Sequence, residues 1–304
     1  MISQFHEELR SFVDNLNIYS IDFIERYIDT PLNKWFQLEQ MPWLKDKCVV
    51  GIMGRYATGK TTLMNTLLEL NLPTDSEANT AIPAYIAHGS TTESEYRILD
   101  INDEIKKIPE EMSKIFDHVY SDNFPFSKIV QYLVLNQNSR LLEEISFLDT
   151  PGISNNQRDM DITANVINQC DVVFWLFRAT DGDLDHDFEI PFIKNNKIDK
   201  VSNMYVILTF TDQCFNIKNV KSRIEKTLQN KKINCKGIIE FTTDKIDVEN
   251  CKEKIIIVLK KEEKRTESFQ PINFLKNDGI LSKYQGKRNI FRLNRKQSAE
   301  TEIR

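Results

Sequence analysis

The segment Gly54-Arg55-Tyr56-Ala57-Thr58-Gly59-Lys60-Thr61 constrains this chain more than any other. It fits G-x-x-x-x-G-K-[ST] at every fixed position. Before it, Cys48-Val49-Val50-Gly51-Ile52-Met53 is an unbroken apolar run that reads as a buried strand. After it, Thr62-Leu63-Met64-Asn65-Thr66-Leu67-Leu68 carries apolar residues at the 3.6 period of a helix. A strand, a tight glycine turn and a helix N-terminus aim several backbone N–H groups and a positive dipole end at one anion. Gly54 and Gly59 leave no Cβ to obstruct the backbone's approach to phosphates. Arg55, Tyr56, Ala57 and Thr58 line the loop. Lys60 would reach the β- and γ-phosphates, the Thr61 hydroxyl would ligate Mg²⁺, and Thr62 completes the nucleotide-binding set. The chain has only nine glycines, which makes coincidence a poor account of the match.

A chain of 304 residues holds one large α/β domain with helical additions, or two modest domains. Its 40% hydrophobic content suits a sizeable core, and its net charge of −5 argues against nucleic acid as a partner. Residues 271–304 run against that balance, with eight Lys/Arg to three Asp/Glu. Cys48, Cys170, Cys214, Cys235 and Cys251 are odd in number and form no C-x-x-C pair, which reads as thiols in a reducing cytosol. Glu7 and Glu8 with no apolar run after them argue against a signal peptide, and no segment has bilayer length. The expectation is a soluble, cytoplasmic protein.

Residues 1–45 show helical apolar spacing, as in Phe5, Leu9, Phe12, Val13 and Leu16. They read as an N-terminal helical brace, or else as a partner-binding arm. Residues 46–264 alternate strand and helix. Strands are expected at 48–53, 128–135, 141–149, 171–178, 203–209 and 237–242. Helices are expected near 60–70, 104–120, 158–169, 186–195, 217–231 and 247–264. The turn-rich Asn136–Arg140 link suggests a hairpin of 128–135 with 141–149. The fold class is therefore α/β: a P-loop domain with a mostly parallel sheet, one antiparallel hairpin strand and helices on both faces. Residues 265–304 form a basic tail expected to be partly disordered.

Ser146-Phe147-Leu148-Asp149-Thr150-Pro151-Gly152 ends a second apolar run with Asp-x-x-Gly. An Asp at a strand tip can hold Mg²⁺ through water, and the glycine N–H can sense a γ-phosphate. Alone the pattern is a common strand-to-loop turn; behind a phosphate loop it implies a triphosphate site whose loops reorganise on hydrolysis.

Asp149-Thr150-Pro151-Gly152 followed by Ile153 resembles the translation-factor-related GTPases, and more narrowly the dynamin-like branch with its bacterial members. Thr80-Ala81-Ile82-Pro83 is similar to that branch's T-x-x-P switch, and Cys170–Asp181 to one of its strands with the loop that follows. The resemblance spans about residues 46–264. It implies Mg²⁺-dependent binding of GTP and GDP, with GTP hydrolysis. Thr80 would then bind Mg²⁺ through its hydroxyl and orient the attacking water through its carbonyl, and Asp149 would support the metal. Thr209-Phe210-Thr211-Asp212 resembles [NT]-K-x-D, so Asp212 would read guanine N1 and N2. Phe210 stands where the family has Lys, and its ring can cover a base by stacking. Thr242, after the last expected strand, falls where the final base-contacting loop would lie, though a plain strand end reads equally well there.

Tyr56-Ala57 replaces the Gln-Ser common in dynamin-like phosphate loops, and Ile153 cannot position water as a glutamine would. Slow hydrolysis is therefore expected, stimulated by a homodimer formed through the nucleotide face or by a helical partner protein. Arg55 is a candidate catalytic cation, in cis or across that dimer, against the plainer reading of a structural ion pair. Family members act on membranes through a long helical stalk, for which this chain has little room; a peripheral contact with a membrane surface stays open. Two other functional classes remain alongside: a nucleotide-regulated binding module with negligible turnover, and an ATP-using P-loop protein. Asp181, Asp183, Asp185, His186 and Asp187 cluster without the Gly and Glu spacing of a calcium loop, and read as a solvated helix N-terminus. His6, His88 and His118 are isolated, and Trp175 and Phe177 belong to the core.

Overall fold

A strand buried on both faces needs apolar side chains at every position, and the runs found in the sequence meet that demand. In the computed structural model, β1 (Cys48–Gly54) is buried at all seven positions and β6 (Ile145–Asp149) at all five. The structure describes residues 47–70, 82–89, 95–100, 105–108, 130–153, 157–185, 187–244 and 247–263, with Met41 and Leu44. The described strands form one nine-stranded sheet in the order β4-β3-β5-β2-β6-β1-β7-β8-β9. The remaining strands are β2 (Ala84–His88), β3 (Glu95–Asp100), β4 (Ile105–Ile108), β5 (Val130–Gln137), β7 (Val172–Arg178), β8 (Asn203–Thr209) and β9 (Gly237–Glu240). Strands β6, β1, β7, β8 and β9 run parallel, so their C-terminal ends share one edge.

Helices flank both faces. On one, α1 (Lys60–Leu68) supplies Leu63, Met64 and Leu67, and α6 (Val248–Glu263) supplies Cys251, Ile255 and Leu259. They meet Val50, Ile52, Phe174, Leu176 and Ile207 of the sheet. Burying each of these large side chains contributes about 1.5–3 kcal/mol. On the other face Trp175, fully buried, packs on Phe192 of α3 (Glu189–Asn195) at 6.1 Å between ring centroids. Helices α2 (Gln157–Ile167), α4 (Ile198–Val201) and α5 (Ile217–Asn230) complete the crossovers. Phe177 is core with Trp175, as expected, and Cys48, Cys170 and Cys251 are buried thiols while Cys214 and Cys235 are half-buried.

The sheet is mostly parallel with antiparallel insertions, but their partners differ from the sequence reading. The expected hairpin of 128–135 with 141–149 does not form, because β2 lies between those strands. β2 pairs antiparallel with β6 and parallel with β5, and the 3₁₀ turn Arg140–Glu143 carries the chain across its width. The start of the helix expected near 104–120 is also corrected, while 109–120 lie outside the described residues. Ile105–Ile108 is strand β4, paired antiparallel with β3, and Ile-Lys-Lys-Ile is too short to set its own period. Of the N-terminal helical brace expected at 1–45, only Met41 and Leu44 are described; the rest of it, with Thr80, His6, His118, His186 and the tail from residue 264, lies outside the described residues.

Candidate functional site

Two strand ends, those of β1 and β6, build the phosphate side. β1 ends at Gly54, whose φ of 143° L side chains rarely adopt, and whose Cβ would fall 2.5 Å from the Leu176 carbonyl oxygen of β7. Only glycine fits so close an approach between these paired parallel strands. The chain then turns through Arg55–Gly59 into α1. Thr58 Oγ1 donates to the Arg55 carbonyl at 2.8 Å, which closes the loop on itself. Lys60 Nζ donates to the Arg55 carbonyl at 2.9 Å and to Gly54 at 3.4 Å. Burial strips water from that ammonium and lowers its pKa from 10.5 to about 8, against the opposing pull of the Asp149 carboxylate. Asp149, at the tip of β6, is itself only 4% exposed.

The loop leaving β6 lies directly on the phosphate loop. The Ile153 N–H donates to Gly54 O at 3.0 Å and the Tyr56 N–H to Ile153 O at 3.3 Å, one further rung of parallel pairing. A Cβ on Gly152 would stand 2.9 Å from Tyr56 Cα and 3.2 Å from Lys60 Nζ. The Thr150 hydroxyl anchors the turn to Ile52 O at 3.0 Å. Asp149 and Gly152 are thus brought against Lys60. Thr61 is half-buried in the first turn of α1 beside Thr62.

The second side of the site comes from β7, β8 and β9. Thr209, the last residue of β8, donates its hydroxyl to Thr58 O at 2.8 Å, tying this strand end to the phosphate loop. Phe210 follows at φ 54°, a left-handed conformation costing a bulky residue about 1–2 kcal/mol. That conformation puts its ring 3.7 Å from where a Cβ on Gly59 would stand. Asp212 is held by Thr242, whose hydroxyl donates to Asp212 Oδ1 at 3.1 Å while accepting from the Asp244 N–H at 3.1 Å. Thr242, which sequence position alone left ambiguous, therefore shares one arrangement with Asp212.

Arg178 and Glu189 escaped the sequence reading, and Asp185 was read there only as one member of the acidic cluster. Arg178 ends β7 and reaches both the Ala57 carbonyl and the Phe210 ring. Asp185 accepts from the Asp187 and Phe188 N–H groups, and its other oxygen lies 3.5 Å from Arg55 Nη1. Glu189, fully buried, accepts from Trp175 Nε1 at 3.1 Å and from the Asp185 N–H at 3.0 Å; burial pushes its carboxyl pKa up. The advance signals were a cation closing the apolar run of β7 and the acidic cluster that holds Asp185. The acidic cluster does lead into a helix N-terminus: Asp185 accepts from the Phe188 N–H just ahead of α3, and Asp183 is engaged by the Thr227 hydroxyl.

A model of the dynamin family matches residues 50–211, more than half of the chain. Two solved structures described as an oligomerised bacterial dynamin pair, with a mechanism for long-range sensing and tethering of membranes, are similar to it. One superposes with a TM-score of 0.53 and the other with 0.51, both at 16% identity. They cover 85% and 88% of this chain but 44% of their own, so the chain spans less than half of those proteins. At that identity the likeness speaks for the fold. No described helix is long and apolar enough to cross a membrane. The matched segment runs from β1 through the phosphate loop and the Asp149–Gly152 turn to the end of β8, and with it the chain belongs to the dynamin family and has a P-loop GTPase fold.

Proposed function

We propose that this chain is a Mg²⁺-dependent guanine-nucleotide-binding protein that hydrolyses GTP slowly and is stimulated by a second copy or a partner. The observation that carries the reading is the meeting of Lys60 and Asp149–Gly152 on one side of the phosphate loop with Asp212 and Thr242 on the other. All sit at the C-terminal edge of adjacent parallel strands, where open α/β sheets bind ligands. Backbone N–H groups of 54–61 and Lys60 hold the phosphates, with Thr62 behind them. Asp212 accepts from the guanine edge, Thr209 and Phe210 frame the base, and Gly152 senses the γ-phosphate. The oxygen donors Thr61, Thr80 and Asp149 suit Mg²⁺, which when bound neutralises charge on the β- and γ-oxygens.

Residues 46–264 form the GTPase domain in this reading, with 1–45 and 265–304 as helical and basic additions. Thr80 orients the attacking water. Arg55 is the candidate charge-compensating cation, yet it rests on Asp185 at 3.5 Å with both side chains partly exposed. An ion pair of that kind is worth about 0–1 kcal/mol, so Arg55 can be re-aimed cheaply by a second copy docking on the nucleotide face. The dynamin pair's association and membrane tethering suggest the same class of partner here: another copy, a helical partner protein, or a membrane surface.

Equilibrium binding of GTP, GDP and ATP with Mg²⁺ tests the assignment. GTP and GDP should bind and ATP should not compete; equal competition by ATP overturns guanine selection. Single-turnover hydrolysis at rising protein concentration tests catalysis. A second reading, a nucleotide-regulated module without turnover, is favoured by Arg55's engagement with Asp185, and absent hydrolysis at every concentration would establish it.

A further inference from the structure

We propose that Arg178 is a positioning residue that locks Phe210 and the phosphate loop into one rigid platform for the base of a bound nucleotide. This inference rests on the functional reading above and adds a residue that neither the motifs nor the family match assigns. The Arg178 guanidinium donates from Nη2 to the Ala57 carbonyl at 2.6 Å, and its Cζ lies 4.9 Å from the Phe210 ring centroid. Both residues it touches hold left-handed backbone, Ala57 at φ 56° and Phe210 at φ 54°. Strain of that kind persists only where neighbours over-determine it, and here one side chain contacts both strained residues.

The chemistry explains why the pair is needed. A lysine at position 210 would offer an aliphatic stem to cover a base and an ammonium to bond nearby carbonyls. Phenylalanine offers a larger covering face and no donor. Arg178, whose strand position pairs with Thr209 immediately before Phe210, supplies the missing cation from the adjacent strand. A guanidinium suits this task because its plane stacks on an aromatic face while its edge N–H groups donate to a carbonyl. The Thr209 hydroxyl reinforces the same junction by bonding Thr58 O. A stacked platform accepts any base, so selection of guanine stays with Asp212.

The test is a double-mutant cycle on GDP affinity with R178M and F210A, run beside inorganic tripolyphosphate, which has no base. Each single variant should weaken GDP binding about 10-fold, the size expected on losing a charge-assisted bond or a stacked face. The double variant should be little worse than either alone, because each residue works through the other. Tripolyphosphate affinity should move less than about 3-fold in F210A, and less than GDP affinity does in R178M. R178M/F210K should recover GDP binding, since one lysine then supplies stem and cation together. Should R178M fail to fold, R178K in its place should show a smaller, base-dependent loss. Additive losses near 100-fold, or equal losses for GDP and tripolyphosphate in R178M, overturn the proposal and leave Arg178 as a brace of the loop alone. If the wild-type protein binds tripolyphosphate but no nucleotide more tightly, the guanine-nucleotide reading itself fails.

Discussion

The buried Lys60 ammonium predicts that binding of a nucleotide to the proposed site is proton-linked. In the free protein its pKa is about 8, because burial removes hydration and Asp149 only partly offsets the loss. Bound phosphates would surround the same nitrogen with negative charge and hold it protonated well above that value. The group's pKa is therefore raised on binding. Full affinity is present below pH 8 and is lost as pH rises through it. At pH 7 about a tenth of the free molecules lack the proton, at pH 8 about half, and at pH 9 about nine-tenths. Affinity should accordingly be nearly flat up to pH 7, about twofold weaker at pH 8 and about tenfold weaker at pH 9. Titration calorimetry at pH 8 in two buffers of different ionisation enthalpy reads the proton count directly, with about half a proton expected per nucleotide. Inorganic tripolyphosphate in parallel removes any titration of the base. Asp149→Asn deletes the opposing carboxylate charge, so its proton uptake should be centred at a lower pH. No proton uptake at pH 8 in the wild type would refute the reasoning, because Lys60 would then titrate as an exposed lysine does.

Three further outcomes follow from distances already given. Asp212→Asn should weaken GTP binding and favour xanthosine triphosphate, whose 2-oxo group accepts from the new amide; an unchanged GTP preference in competition binding would place base reading elsewhere. Gly152→Ala forces a Cβ to 2.9 Å from the Tyr56 backbone, so we expect a loss of about 1–3 kcal/mol in denaturant unfolding or a displaced turn with weakened γ-phosphate discrimination. Wild-type stability together with wild-type GTP-over-GDP preference would contradict that close approach. Arg55→Ala removes only a partly exposed ion pair and should change stability by less than about 1 kcal/mol, while lowering concentration-stimulated GTP hydrolysis. Unchanged stimulated turnover would leave Arg55 as a structural residue.

The parallel core was legible because its physics is local. Strands β1, β6, β7 and β8 are buried on both faces, so each appears as a continuous apolar run. What the sequence could not disclose was adjacency. The Asn136–Arg140 turn correctly marks a chain reversal, but β2 occupies the place beside β6 where β5 was expected. Ala84–His88 went unrecognised because it directly follows the Thr80–Pro83 segment and reads as part of that loop. The short strands β3 and β4 each lack the length to impose a period, and Ile105–Ile108 fits a helix or a strand until its partner is known.

The two halves of the site differ in legibility for the same reason. The proposed phosphate half relies chiefly on backbone N–H groups of one contiguous turn, so eight consecutive residues encode it and a motif can find it. The proposed base side is assembled from side chains on three strand ends: Arg178, Thr209 with Phe210 and Asp212, and Thr242. The bond from Arg178 to Ala57 joins residues 121 positions apart. Phe210 seen alone therefore looks like the loss of a lysine. Seen with Arg178, the lysine's two capacities, a covering surface and a cation, are divided between neighbouring strands. A substitution that breaks a local pattern can preserve the chemistry when the sheet brings a compensating group to the same point.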